Sequence, residues 1–550
     1  MTGQEMKSFT SSVTETKGIM ETSIESVQRR KANYKPNIWN YDLLLQSLTS
    51  VYSDEVYRRK AQKLKQELTW MFTEVNDKWS MLYLVDTITK IGLASYFQQE
   101  IKQYLSSLTR TPQNVNSRRD GGVDLYSTAL CFRLLRQFGF EASQEMFRGF
   151  VNKNGDFKPS LSFNVQGVKE LYEASNLGCE WEDITNEARL FCINTHSTDN
   201  ILALHWTAEW YNLKKHILAY EKEGTTNSKL LELARLHFNI VQATHQEDLK
   251  EIIRWWIELG IIEKLSFSRD RIIESFLYAA GVAYEPQHGS LRKWLTKVIK
   301  LVLLIDDVYD IYGSLEHLEC FTNAVDRWRY EEVRDLPECM QVCFSTLYNT
   351  TADIAVEIQK EKGWNSVLPH FQIAWGEFCK SLLLEAKWDN TGYTPSLEEY
   401  LENAFISSSG PLVSLLIILG VQNPALRTIS EILKDNKDLI YHTSLIIRLC
   451  NDQGTFTEEL NRGDAPSSII CHMRESNVSE ESAKEHIKSI ISQTWEKING
   501  YCVVGDEPIK HYLTNAARVA HFIYQHGDGF GVQDRKRVLS NLIDPLPLYN

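Results

Sequence analysis

Residues 244–260 read THQEDLKEIIRWWIELG, and the fold class turns on this stretch. Leu249, Ile252, Ile253 and Trp256 recur at spacings of three and four, so one helix face carries them all. Thr244 and Glu247 have the form of a capping box, and Gly260 supplies a residue at which a helix stops. A helix is therefore expected from Thr244 to Gly260. The same recurrence runs through nearly all of the sequence from residue 40 onward. A second helix is expected to start at Ser290, carry Leu291, Trp294, Val298 and Leu301, and end at Gly313. No alternating run of strand length and no repeat-protein period stands out. The chain has 27 Gly and 13 Pro in 550 residues, where an average composition holds about 7% Gly and about 5% Pro. Few turn residues and a helical period throughout give an all-α protein.

The net charge is −13, from 59 Lys+Arg and 72 Asp+Glu, with no basic block. Nucleic acid and anionic membrane surfaces therefore find no electrostatic footprint. The longest apolar run, Leu412 to Val421, is about half the roughly 20 residues of a membrane span. Ten cysteines without a CxxC pair make neither a zinc set nor a disulfide framework, which fits a reducing compartment. With 43% hydrophobic residues the chain can bury a sizeable core, and its length exceeds what one core usually supports. The polar stretch EKEGTTN at residues 221–227 is the expected join. The expected division is a lead-in at 1–28, an N-terminal helical domain at 29–227 and a C-terminal catalytic domain at 228–550. Residues 1–28 carry Glu5, Glu15, Glu21 and Glu25 against Lys7 and Lys17, with no Arg. Organelle leaders are Arg-rich and acid-poor, so a disordered lead-in to a cytoplasmic protein is expected. Ser407-Ser408-Ser409-Gly410-Pro411 interrupts an apolar helical segment, either as an ordinary turn or as a broken helix facing a pocket.

The chemistry lies in residues 301–310, LVLLIDDVYD, where five apolar residues run into Asp306 and Asp307, with Asp310 following. Asp306 and Asp310 share a helix face, repel one another and sit at the negative end of the helix dipole. A cation is expected there, and carboxylate oxygens suit Mg²⁺ completed by phosphate oxygens. Taken alone, the same cluster could be a solvated acidic helix end. A second set stands about 145 residues later, where Asn451, Thr455 and Glu459 at spacings of four line one helix face with three oxygen donors. The two sets together describe two walls of one metal-lined pocket. Arg269 and Arg271 precede the aspartates, and Arg448 sits one turn before Asn451. Guanidinium forks match phosphate oxygens, although surface ion pairing is commoner for any single Arg. With an aromatic content of 11%, the picture is of a substrate with a diphosphate head and a hydrocarbon body.

These residues resemble the plant class I terpene synthases, from about residue 29 to the end. The resemblance rests on Asp306-Asp307-Val308-Tyr309-Asp310, on Asn451-Asp452-x-x-Thr455-x-x-x-Glu459, on Arg269-Asp270-Arg271, and on Arg29 and Arg30 with Trp39. The segments IDDVYDIYG and APSSIICHMRE are most similar to the angiosperm branch that holds monoterpene synthases and producers of acyclic terpenes. Gln453 and Phe138 depart from the family's usual residues at positions that are not ligands. The resemblance implies an N-terminal α-barrel-like domain and a C-terminal class I terpenoid synthase bundle. It implies a carbon–oxygen lyase that ionises a prenyl diphosphate, with three Mg²⁺ ions, or Mn²⁺, held by Asp306, Asp310, Asn451, Thr455 and Glu459. Asp307 would orient the cluster, and Arg269, Arg271 and Arg448 would hold the diphosphate, with Arg462 a weaker candidate. Tyr278, Tyr524 and Phe530 match aromatic pocket positions, though core packing explains each about as well. Tyr524 and Asp528 lie where the family places polar groups near the cation. The expected substrate is farnesyl diphosphate and the expected product acyclic, of the farnesene kind. Nerolidol, linalool or an ocimene-type monoterpene from geranyl diphosphate is the alternative. A monomer without nucleic-acid or membrane partners is expected. A non-catalytic prenyl diphosphate binder is disfavoured because every metal position is filled. A chain-elongating prenyltransferase is disfavoured because it would carry two Asp-rich motifs on a shorter chain. Gly527, Gly529 and Gly531 lack the spacing of a nucleotide loop, and neither HExxH nor GxSxG occurs.

Overall fold

The computed structural model describes residues 37–75, 77–109, 124–196, 202–265, 267–425, 427–462, 466–503, 507–525, 527 and 539–548. Among these the chain is helical, and the one β-bridge pairs Val151 with Phe157. The lead-in, Arg29, Arg30, Asp528, Phe530 and the Arg462 side chain lie outside the described residues.

Ser228–Leu259 is a 32-residue helix, the spine that both halves pack against. Its amino end is fixed by Asn227, whose side chain accepts from the Lys229 and Leu230 amides, and its carboxyl end by Gly260 at φ 59°. The expected start at Thr244 is thus corrected. Thr244 lies inside the helix and its hydroxyl donates to the Ile240 carbonyl at 3.1 Å. The apolar face continues upstream through Leu230, Leu233, Ala234 and Leu236, all buried, and burial of that face overrides a local capping pattern. The break at residues 222–227 separates this spine from Glu209–Glu221.

Gly289–Asp307, the aspartate helix, continues into a π-helical turn, Val308–Tyr312, closed by the Gly313 amide on the Val308 carbonyl at 3.0 Å. The expected helix from Ser290 to Gly313 is therefore right in extent and different in its last turn. Such widened turns gather at functional sites because they re-aim side chains. Ile272–Val282 packs between this helix and Pro508–Tyr524. Lys437–Arg462, the opposite wall, packs on Pro508–Tyr524, Glu480–Cys502, Leu397–Ser407 and Gly410–Val421. Leu397–Val421 is long and apolar enough to cross a membrane by length and composition, but 72% of its apolar window is buried. It is also split at Ser409, whose φ is 62°, which marks a core helix of the bundle. The halves lock together where Trp206 stacks on Trp495 at 5.7 Å and where Asn499 Nδ2 donates to the Asn176 and Gly178 carbonyls.

Candidate active site

Asp306 and Asp307 end the aspartate helix and face different ways. Asp307 is fully buried, and its Oδ2 accepts from the Ser268 hydroxyl at 2.9 Å and the Arg269 amide at 2.8 Å. Asp306 is 29% exposed and takes Arg269 Nη2 on Oδ2 at 2.5 Å, while Arg269 Nε reaches Asp307 Oδ1 at 2.8 Å. One guanidinium thus stands against the two adjacent carboxylates, Asp306 and Asp307. Beneath the same loop, buried Lys300 donates from Nζ to the Arg269 carbonyl at 2.5 Å and lies 4.7 Å from the Trp256 ring centre. Burial brings its ammonium down to about 8, against the opposing pull of Asp307 and Asp270. Asp310, on the π turn, is exposed.

On the opposite wall the Thr455 hydroxyl lies 2.7 Å from the Asn451 carbonyl and 2.6 Å from Glu459 Oε1, so this stripe gathers its donors. Asp452, between them in sequence, turns inward. It is buried and accepts from the Tyr400 hydroxyl at 2.9 Å and the Ser468 amide at 3.0 Å. Arg448 Nη2 donates to Ser407 Oγ at 2.9 Å, and Ser407 in turn donates to Glu385 Oε1 at 2.5 Å. The break after Ser407 therefore faces the site rather than making only a turn. Burial opposes the Arg448 charge, but Tyr400, Glu385, Asp452 and Asp306 more than offset it and hold the guanidinium protonated. Burial pushes Glu385 up, Arg448 pulls it down, and Asp306 and Asp452 push it further up. Asp306 thus acts on Arg448 and Glu385 across the gap, and the two motifs face one another.

Arg271 is 9% exposed, precedes Ile272–Val282 and donates from Nη1 to the Asp270 carbonyl at 3.2 Å. Tyr278 is buried with its hydroxyl on the Ala516 carbonyl at 2.9 Å. Gln453 points away, toward the Lys484 carbonyl at 3.0 Å. Sequence reasoning missed Glu385, Tyr400, Ser268 and Lys300. The readable signal was a lone Lys300 in VIKLVLLI, since an unpaired charge in an apolar run is rare. Surface cavities of about 710 Å³ beside Arg58 and Gln287 and about 470 Å³ beside His472 and His486 are lined by none of Asp306, Asp307, Asp310, Asn451, Thr455 and Glu459.

No three Asp, Glu, His or Cys side chains among the described residues gather tightly enough to hold an ion alone. The donors are hard oxygens split between two walls, the set that suits a magnesium-type ion whose remaining ligands are water and phosphate. The residues present fit such ions. Two family models match the chain, "Terpene synthase, N-terminal domain" at residues 38–217 and "Terpene synthase family, metal binding domain" at residues 257–497. The chain belongs to the terpene synthase family. As a terpene synthase it is a lyase acting on prenyl diphosphates. It is 47% identical to an α-farnesene synthase of Ricinus communis, over 95% of this chain and 96% of that one. It is 46% identical to an (E,E)-α-farnesene synthase of Malus domestica, over 94% of each. A chloroplastic geraniol synthase of Cinnamomum tenuipile is 41% identical, over 95% of this chain and 89% of its own. Isoprene synthase from grey poplar, solved with three Mg²⁺ ions and dimethylallyl-S-thiolodiphosphate, superposes with a TM-score of 0.83 at 38% identity, covering 94% of this chain and 100% of its own.

Proposed function

We propose that this terpene synthase ionises farnesyl diphosphate and releases an acyclic sesquiterpene of the α-farnesene kind, with Mg²⁺ as its metal and the cytoplasm as its compartment. The observation that carries the reading is the pair of oxygen-donor motifs with an arginine at each: Arg269 on Asp306 and Asp307, and Arg448, held by Ser407 beside Glu385, one turn before the Asn451–Thr455–Glu459 stripe. For the substrate, the support is the higher identity to the two α-farnesene synthases than to the geraniol synthase. For the compartment, it is the acid-bearing, arginine-free composition of residues 1–28. The division of the chain at residue 227 into a non-catalytic and a catalytic unit belongs to the same proposal.

Asp306, Asp310, Asn451, Thr455 and Glu459 would hold the ions, which neutralise charge on the departing diphosphate. Asp307, buried and doubly bonded to residues 268 and 269, fixes the end of the aspartate helix. Arg269, Arg271 and Arg448 take diphosphate oxygens and keep the leaving group from recombining. Arg448 is held by Ser407 and framed by Glu385 and Asp452, so its fork is oriented before substrate arrives. Proton loss from the cation is proposed to end the reaction before ring closure, with Asp528 and Tyr524 either removing the proton or assisting the diphosphate as base.

The deciding experiment incubates the purified chain with Mg²⁺ and either geranyl or farnesyl diphosphate and identifies the volatiles by gas chromatography. Acyclic sesquiterpenes with a higher kcat/KM on farnesyl diphosphate are expected. A preference for geranyl diphosphate, together with plastid import of a fluorescent fusion, would replace this reading by a monoterpene synthase. Dominant cyclic sesquiterpenes would remove the acyclic claim alone.

A further inference from the structure

Three hydrogen bonds converge on the carboxylate of Asp270, the middle residue of Arg269-Asp270-Arg271. Asn37 Nδ2 donates to Oδ2 at 2.8 Å, Tyr41 Oη to Oδ1 at 2.7 Å, and Trp256 Nε1 to Oδ1 at 3.0 Å. One turn further on, Trp39 Nε1 donates to Glu274 Oε1 at 3.0 Å. Asn37, Trp39 and Tyr41 alternate along the segment that leads into the helix Tyr41–Ser47, and Asn37 lies 233 residues from Asp270 in sequence. The segment also fixes its own shape. Asn37 Oδ1 accepts from the Trp39 amide at 2.9 Å, and Asn37 Nδ2 lies 3.0 Å from Tyr41 Oη. Burial first, and Asp270 second, push the Tyr41 phenol well above its ordinary value, so it remains a donor.

The loop that carries the two arginines is therefore gripped from two sides. Lys300 takes the Arg269 carbonyl and Asp307 takes the Arg269 amide and the Ser268 hydroxyl, all from the aspartate helix. The Asp270 side chain, and with it the far side of the loop, is held by the N-terminal segment. Residues 269 and 271 share their backbone with residue 270, so a rotation there swings both guanidinium groups. A carboxylate that accepts three hydrogen bonds has little freedom to rotate.

We propose that Asp270 is a positioning residue and that residues 37–41 form a strap which, through Asp270 and Glu274, sets the aim of Arg269 and Arg271. This rests on the reading above that the arginines hold diphosphate. The strap gives Trp39 a task that the metal and diphosphate roles leave unassigned. It also makes the N-terminal half part of the site's geometry while contributing no group to the chemistry.

The test uses the full chain and three readouts: inhibition by inorganic pyrophosphate in the presence of Mg²⁺, KM against kcat on farnesyl diphosphate, and melting temperature. Tyr41→Phe and Asn37→Ala each remove one bond to the Asp270 carboxylate and are expected to weaken pyrophosphate inhibition and raise KM by roughly three- to tenfold, with melting temperature unchanged. In the Asp270→Ala background, which has no acceptor left, adding Tyr41→Phe is expected to change little more, because both act through one side chain. Arg269→Ala is the control and is expected to weaken pyrophosphate more than any strap variant. If Arg269→Ala weakens pyrophosphate while Tyr41→Phe and Asn37→Ala leave it at the wild-type value, the strap is overturned and the diphosphate reading stands. Loss of melting temperature with unchanged pyrophosphate inhibition overturns it equally, as a merely structural contact. If Arg269→Ala itself leaves pyrophosphate inhibition unchanged, the diphosphate reading falls and the strap falls with it.

Discussion

Replacing Arg448 by Met isolates what the guanidinium does for the wall it stands in. Its side chain is 16% exposed, that of Asp452 is 1% exposed, and their closest approach is 3.9 Å. Arg448 is the largest influence pulling both Glu385 and Asp452 down against the burial that pushes them up. Met leaves buried Asp452 and half-buried Glu385 without their counter-charge, a change that for a buried pair typically costs about 3–5 kcal/mol. Protonation of Glu385 limits the loss. An acid whose folded pKa is raised contributes stability below its unfolded value, 4.5 for Glu385, and loses it as pH rises through the folded value. The deficit of Arg448→Met is therefore expected to be small near pH 5 and full near pH 8. Adding Glu385→Gln removes one of the stranded charges while leaving an acceptor for Ser407 and Asn403, and should return about 1–2 kcal/mol at pH 8. Urea unfolding followed by circular dichroism at both pH values measures this, and turnover stays lost in both variants. A double variant less stable than Arg448→Met by the full cost of Glu385→Gln alone, or a deficit independent of pH, would refute the charge argument.

Asp306→Ala and Glu459→Ala are each expected to lose most turnover, and chelation should abolish activity until Mg²⁺ is restored. Near-normal product in any of these assays would remove the metal assignment. His237 is buried in the spine against Tyr96, and burial brings its imidazole from 6.5 down to about 4. A base held low contributes stability above its unfolded value and loses it as pH falls toward the folded one, so wild type should lose up to about 3 kcal/mol between pH 6.5 and 4 that His237→Gln does not; equal acid limbs in urea unfolding would contradict this. Asn227→Ala removes the cap of the spine and should lower stability by about 1 kcal/mol, read as a shift in urea midpoint at constant slope.

Helical period made the fold class legible because amphipathic faces are written residue by residue, and Gly260 and Gly313 marked helix ends for backbone reasons that need no tertiary information. The start of the spine was not legible at Thr244. A Thr-x-x-Glu pattern offers an end to any helix, and the choice is made by whether the preceding face is buried. Here Leu230, Leu233 and Leu236 are buried, so the real cap is Asn227, 17 residues upstream of Thr244 in the sequence. The π turn after Asp307 was hidden for a related reason. Residues 308–312 contain no Gly or Pro to signal it, and the widening shows in the backbone bonding, as in the bond from the Gly313 amide to the Val308 carbonyl.

The site shows the same division between what spacing encodes and what packing decides. Four-residue spacing identified Asp306 with Asp310, and Asn451 with Thr455 and Glu459, because one helix suffices to align them. The partners of these groups come from other helices and carry no spacing. Arg269 was readable as a phosphate ligand, but its grip on Asp306 and Asp307 requires the loop at 268–271 to fold back on the aspartate helix. Glu385 and Ser407 belong to Val367–Thr391 and Leu397–Ser407, yet they frame Arg448 on a third helix. Arg269 offsets part of the negative charge on the aspartate side, and Arg448 part of that of Glu385 and Asp452. The two guanidinium groups therefore serve twice, as counter-ions of the folded state and as the proposed diphosphate ligands, and their substitution should lower stability and activity together.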